Sequence, residues 1–442
     1  MKVAPLIAAA IAASLCAGCV MPPKPYEKPP SGKTGTHAVK TGKFWWGTST
    51  SSYQNEDRGV APDSPYYFQT DWDRFAEEGH IPPRGDDATF SWSRFDKDVA
   101  ALKELGVNHY RYGIEWARVE PKPGVYNEAA IQQYVRMARK LKANGIEPVV
   151  TLWHFTFPDW LYDGKNKAQS NFLHPDVQER WHAFVDKVGA ALAPYVRTWV
   201  PQNEPNGDLY IGYFGGHWPP GLLLTPGALK KANRVAIEMY RDAAATVRKH
   251  RPDAIIMGIY SIPNWRRNFR QDPTAFVYNM MQRQNFDHLD AVADVTDIIG
   301  VNYYYSQDAS ALRFIVRPHG ELTSNYTQNG WEIDAEGLYA VLKQVSERYD
   351  KPIVITENGI GTQSEQKKVR YFREHLAQVK RAMADGIDIR GYFAWTLIDN
   401  YEWAEGFGAN FGLSTMVNGG RRLQLEPSGR WFANHIRSNP SP

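Results

Sequence analysis

Eight short apolar runs alternate with amphipathic segments along most of this chain, and that alternation limits the fold more than any other feature. The runs are FWWGTS (44–49), VNHYRYGI (107–114), PVVTLWH (148–154) and RTWVPQN (197–203). They continue with AIIMGIY (254–260), DIIGVNYY (297–304), PIVITE (352–357) and IRGYFAWT (389–396). Strands this apolar belong to sheets covered on both faces, and intervening helices make their connections parallel. DKDVAALKEL (96–105), AIQQYVRMARKLKAN (130–144) and VRYFREHLAQVKRAMA (369–384) have the apolar stripe of such helices. The pattern predicts an α/β chain closed into a single (β/α)8 TIM barrel. An open doubly wound sheet is the alternative, but no G-x-G-x-x-G turn follows the first run.

The barrel is expected to fill residues 43–442, with no linker or internal repeat inside it. Before it, MKVAPLIAAAIAASLCAGCVMPPKP has one Lys, an apolar run and small residues. The run is short for a membrane span, so residues 1–19 are expected to be a cleaved export signal. Cys19 resembles the cysteine of a bacterial lipoprotein box, although Cys16 stands where Leu is usual. The resemblance implies a lipid anchor and a place in the periplasm or outer membrane of a Gram-negative bacterium. Residues 20–42, rich in Pro, Lys, Gly, Ser and Thr, read as a flexible tether. The only 2 cysteines lie in the signal, so the remaining chain has no disulfide and depends on packing. A net charge of +3, dispersed along the chain, gives no reason to expect nucleic acid as a partner. The 12 His residues show no metal-ligand spacing, and no cofactor is expected.

In a barrel the strand C-termini converge on one face, so their polar residues should form one set. Gln54 follows the first run, Arg111 lies in the second, His154 ends the third and Asn203–Glu204 ends the fourth. Tyr304 ends the sixth, Glu357–Asn358 ends the seventh, and Trp395 lies in the eighth with Glu402–Trp403 beyond. Singly, each has a bland explanation as a core histidine, an ion-pair partner, a turn residue or packing. Together on one face they read as a site.

Glu204 and Glu357 cap the fourth and seventh strands, on opposite sides of the barrel mouth. Two carboxyls facing across a sugar-sized gap are the machinery of glycoside hydrolysis. A gap of about 5 Å gives a covalent intermediate and retention; a gap up to roughly 9 Å admits water and gives inversion. The residues alone leave that choice open. Arg111 and the Tyr304 hydroxyl suit an ionised Glu357, whereas the nearby charge of Glu357 favours a protonated Glu204. The Asn203 amide suits a sugar 2-hydroxyl.

These blocks resemble glycoside hydrolase family 1, the β-glucosidase and β-galactosidase family. The resemblance runs from about Phe44 to Phe432. It rests on FWWGTSTSSYQNE, YRYGIEWARVEP, VTLWHFTFPDWL, WVPQNEP, IGVNYY, VITENG and GYFAWTLIDNYEWAEGF in the family's order. It implies a retaining, exo-acting β-glycosidase with Glu204 as acid/base and Glu357 as nucleophile. Gln54, His154, Asn203, Tyr304, Glu402 and Trp403 would surround the terminal sugar, with Trp395 beneath its ring. Transglycosylation through the same intermediate is an alternative, and a non-catalytic sugar-binding lipoprotein is a third reading. Three departures stand out: Pro201 where Thr is usual, Phe155 where Trp is usual, and Asp57–Arg58 where small residues are typical.

Overall fold

The computed structural model describes residues 42–85, 89–310, 320 and 323–441. Cys19, the expected export signal and nearly all of the expected tether lie outside the described residues. Eight parallel strands close into a barrel: β1 (Trp45–Ser49), β2 (His109–Gly113), β3 (Glu147–Thr151), β4 (Thr198–Val200), β5 (Ile255–Ser261), β7 (Ile298–Asn302), β9 (Ile353–Asn358) and β10 (Ile389–Trp395). Neighbours in the barrel are neighbours in the chain, and β1 closes against β10. The strands are joined mainly through helices such as Phe95–Leu105, Glu128–Ala143 and Glu365–Ala384, which match the expected stripes within a few residues.

Side-chain alternation divides each strand between two cores. Val149, Val200, Ile255, Met257, Ile259, Ile298, Val354 and Phe393 fill the barrel, with Trp45 packed against them. Residues of the opposite parity, including Trp46, Tyr110, Val150, Trp199, Ile256 and Ile355, join the surrounding core that takes in the helices. The same inward parity becomes polar toward the strand C-termini, where Arg111, Asn302 and Trp395 lie. The lower barrel is therefore packed apolar volume and its upper rim carries the chemistry.

Three expected strands overran their true ends by two or three residues. The ladder stops at Thr151, Val200 and Asn302, so His154, Asn203 and Tyr304 sit just beyond it. Backbone bonds still tie this rim together: Asn203 N–H donates to Trp153 O and Glu204 N–H to Ile259 O, each at 2.9 Å. Pro201 explains why β4 is the shortest barrel strand at 3 residues, since it has no N–H for the ladder. Two small pairings went unpredicted. The short strands β6 (Asn264–Arg267) and β8 (Ser306–Ala309) pair parallel, and β11 (Ser414–Val417) pairs with β12 (Arg422–Leu425) as a hairpin.

Gly47 faces the barrel interior, where an added Cβ would lie 2.8 Å from the Phe393 ring. Overpacking of this kind costs about 1–3 kcal/mol. Gly47→Ala is expected to lower the urea midpoint by a corresponding amount with an unchanged slope. An unaltered midpoint would show that the lower barrel has spare volume.

Candidate active site

A register slip builds the centre of the rim. Val301 pairs with Ile355, but Asn302 pairs with Glu357, leaving Thr356 as the extra residue of a bulge. Val354 points inward and Ile355 outward, so strict alternation would send Glu357 outward after Thr356. The bulge re-aims the strand, and Glu357 meets the interior residue Arg111. Arg111, fully enclosed, donates from Nη1 to Glu357 Oε1 at 2.5 Å. The Tyr304 hydroxyl donates to Glu357 Oε2 at 2.6 Å.

Arg111 also arranges its neighbours. Its Nη2 donates to Asn203 Oδ1 at 2.6 Å, and its Nε donates to Thr151 Oγ1 at 2.9 Å. With Asn203 Oδ1 taken, the amide nitrogen faces His154 Nε2 at 3.1 Å. The other ring nitrogen, Nδ1, lies 3.5 Å from Arg111 Nη2. Burial and the Arg111 charge hold His154 well below its usual pKa, so its ring is neutral. That ring lies nearly parallel to Trp403, 5.8 Å away at 14°, and to Trp395, 6.3 Å away at 24°.

Glu204 takes a left-handed backbone, with φ 44° and ψ 46°, immediately before the helix Pro205–Tyr213. For a residue with a Cβ this conformation is strained. The Ile259 carbonyl on one side and Pro205 at the helix start hold it. Burial and the Glu357 charge push the Glu204 carboxyl up to about 8, against the opposing Asn302 amide and Arg111. Burial raises Glu357 as well, but Arg111, the Tyr304 hydroxyl and Asn302 oppose it. Of this pair, Glu357 ionises first and Glu204 keeps its proton.

Asn302 was missed in the sequence, although a polar residue closing the apolar run IIGV was a usable signal. Its Nδ2 donates to Glu204 Oε1 at 2.6 Å and lies 3.3 Å from Asn203 Oδ1.

Gln54 sits on the short helix Ser52–Asn55 and is fully enclosed. Its Nε2 donates to Tyr401 O at 2.8 Å and to Asn400 Oδ1 at 3.2 Å, with Glu402 Oε2 at 3.4 Å. It holds the segment that carries Glu402. Burial, Glu357, Glu405 and Glu204 raise Glu402 to about 8, so near neutrality it offers one donor and one acceptor. Phe155 packs against Trp218 and Trp403 with centroids 4.9 and 5.0 Å away. Asp57 and Arg58 are buried away from the rim: Asp57 accepts from Trp92 and Ser93 N–H, and Arg58 pairs with Asp73 at 2.8 Å. All the site residues expected from sequence within the described chain therefore stand on one rim. No group of three or more candidate metal ligands occurs among the described residues.

A family described as Glycosyl hydrolase family 1 matches residues 37–262 and 249–441. The chain belongs to glycosyl hydrolase family 1. This family 1 enzyme is 25% identical over 449 residues to β-glucosidase A of Thermotoga maritima, covering 90% of this chain and 97% of that one. It is 28% identical over 400 residues to a chloroplastic galactolipid galactosyltransferase of Arabidopsis thaliana, covering 85% and 61% of the respective chains. Among solved structures, a β-glycosidase from Pyrococcus horikoshii superposes with a TM-score of 0.77 at 30% identity, covering 89% of this chain and 94% of that one. The family 1 enzyme is accordingly a glycosyl hydrolase on a (β/α)8 barrel.

If the Glu357 charge raises Glu204, removing it must lower Glu204. In Glu357→Gln, the Glu204 carboxyl, followed by carbon NMR, is expected to titrate below its native value of about 8. An unchanged titration would show that the two carboxyls are uncoupled.

Proposed function

We propose that this protein is a retaining, exo-acting β-glycosidase that removes terminal non-reducing β-D-glucosyl or closely related sugars. Retention is supported by the resemblance to glycosyl hydrolase family 1 and by the closeness of the pair, since burial and the Glu357 charge raise Glu204 to about 8. The β-glucosidase preference rests on the names of its relatives.

Glu357 attacks the anomeric carbon as the bond to the leaving oxygen breaks, and Glu204 gives that oxygen its proton. The product of this step is a glycosyl ester on Glu357. Esterification removes the Glu357 charge, so the Glu204 pKa falls and its carboxylate serves as base. Water gives a proton to Glu204 and adds to the anomeric carbon, releasing the sugar with its β configuration. Arg111 and Tyr304 hold the nucleophile and stabilise the departing carboxylate. Trp395 floors the sugar ring, while Gln54, His154, Asn203, Glu402 and Trp403 bind its hydroxyls. Phe155 keeps an aromatic wall but has no N–H to offer the sugar.

Transfer to an acceptor alcohol uses the same intermediate, and the name of the Arabidopsis relative favours testing it. Export with lipid attachment at Cys19 remains our reading of residues 1–19, from sequence alone.

Glu357→Gly is expected to lower kcat/KM for an aryl β-glucoside by about four to six orders of magnitude. Azide should then restore turnover and yield the inverted glycosyl azide. Glu204→Ala should cost about 10²–10⁴-fold on substrates whose leaving group needs a proton, while sparing dinitrophenyl glycosides. An active Glu357→Gly variant without azide would remove the assigned nucleophile.

A further inference from the structure

Glu204 needs its proton on the oxygen that faces the leaving group, and the Asn302 contact bears on which oxygen that is. Because Nδ2 donates to Oε1, the proton of Glu204 belongs on Oε2. A reversed Asn302 amide would put its carbonyl against Glu204, capture the acid proton on Oε1 and favour the neutral acid. What sets the direction of this amide therefore affects the reaction.

The Thr356 hydroxyl donates to Asn302 Oδ1 at 2.6 Å, inside the rim. Two further features place that hydroxyl. Thr356 is the extra residue of the β9 bulge, and its carbonyl is held by Ser49 Oγ at 2.6 Å. Gly300, directly below Asn302 on β7, leaves room for it. A Cβ at Gly300 would lie 2.9 Å from both Thr356 Cγ2 and Oγ1. On its other end, Asn302 meets Asn203 Oδ1, an atom already accepting from Arg111 and so fixed as an acceptor. Acceptors on the Glu204 side and a donor on the Thr356 side specify one orientation of the amide.

We propose that Thr356 is a positioning residue for proton transfer: through Asn302 it directs the proton of Glu204 to Oε2, and Gly300 and the β9 bulge exist around that contact. This rests on Glu204 as the acid/base. The bulge thus delivers two groups at once, Glu357 to the rim beside Arg111 and the Thr356 hydroxyl to the amide that holds Glu204.

The test is Thr356→Val, which keeps the side-chain shape and removes the donor, compared with Thr356→Ser, which keeps the hydroxyl. The native enzyme should lose kcat/KM as pH rises through the Glu204 titration. In Thr356→Val that alkaline limb is expected to move up by about half to one pH unit. kcat for an alkyl glucoside should fall about tenfold or more, and that for a dinitrophenyl glucoside about twofold or less. KM should be unchanged, and Thr356→Ser should restore the native profile. A limb that does not move, or an equal loss on both substrates, would overturn the proposal. Asn302→Ala gives a second arm: it should move the limb the same way, and adding Thr356→Val to it should change nothing further. Additive effects, or an unmoved limb in Asn302→Ala, contradict the proposal even if Thr356→Val does not fold. Glu204→Ala separates the two levels: if it shows no leaving-group dependence, the acid/base assignment has failed instead.

Discussion

The enclosed guanidinium of Arg111 is the interaction on which the rest of the rim depends. It neutralises Glu357, turns Asn203 so that its carbonyl is used internally, and thereby sets the amide that reaches His154. Removing one partner of such a buried pair costs about 3–5 kcal/mol, because the other charge is left without compensation. Burial, with the same cation second, keeps His154 neutral, and the cation lets Glu357 ionise before Glu204. Environment alone sets the two carboxyls apart, with Glu204 raised to about 8 and Glu357 held lower by Arg111 and Tyr304, which is what an acid and a nucleophile require.

The chemistry is placed by departures from regular strand geometry. A uniform β9 would alternate Thr356 in and Glu357 out; the bulge brings both to the interior. Glu204, Phe155 and Trp403 all hold positive φ values at the rim, 44°, 69° and 50°. Backbone strain of this kind costs of order 1–3 kcal/mol per residue and persists where the surroundings fix it. Here the barrel beneath, packed with Met257, Ile259, Val354 and Phe393, provides the rigid base.

The fold was legible because it depends on what a sequence displays directly: eight apolar runs, helical stripes between them and a polar residue at nearly every strand end. The rim positions of Glu204 and Glu357 were legible for the same reason. The strand ends were not, since His154, Asn203 and Tyr304 follow apolar residues without interruption although the ladder has already stopped. Pro201 carried a readable consequence, the shortening of β4, that only the register makes plain. Asn302 was hidden inside a run read for its apolar residues. The role of Thr356 could not be read at all, because a one-residue slip between β7 and β9 leaves no local mark. The contacts by which Gln54 holds Asn400, Tyr401 and Glu402 were not legible either, because they join residues about 346 positions apart in sequence.

The central claim is that Glu357 carries the sugar covalently between two half-reactions. A 2-deoxy-2-fluoro-β-glucoside with a dinitrophenyl leaving group slows the second half-reaction more than the first. Intact-mass spectrometry of the inactivated protein, followed by peptide mapping, reads the outcome. One fluoroglucosyl group per chain is expected, on the peptide containing Val354–Gly359 and at Glu357. Turnover without any adduct and with inverted product, or an ester on Glu204 instead, would contradict it.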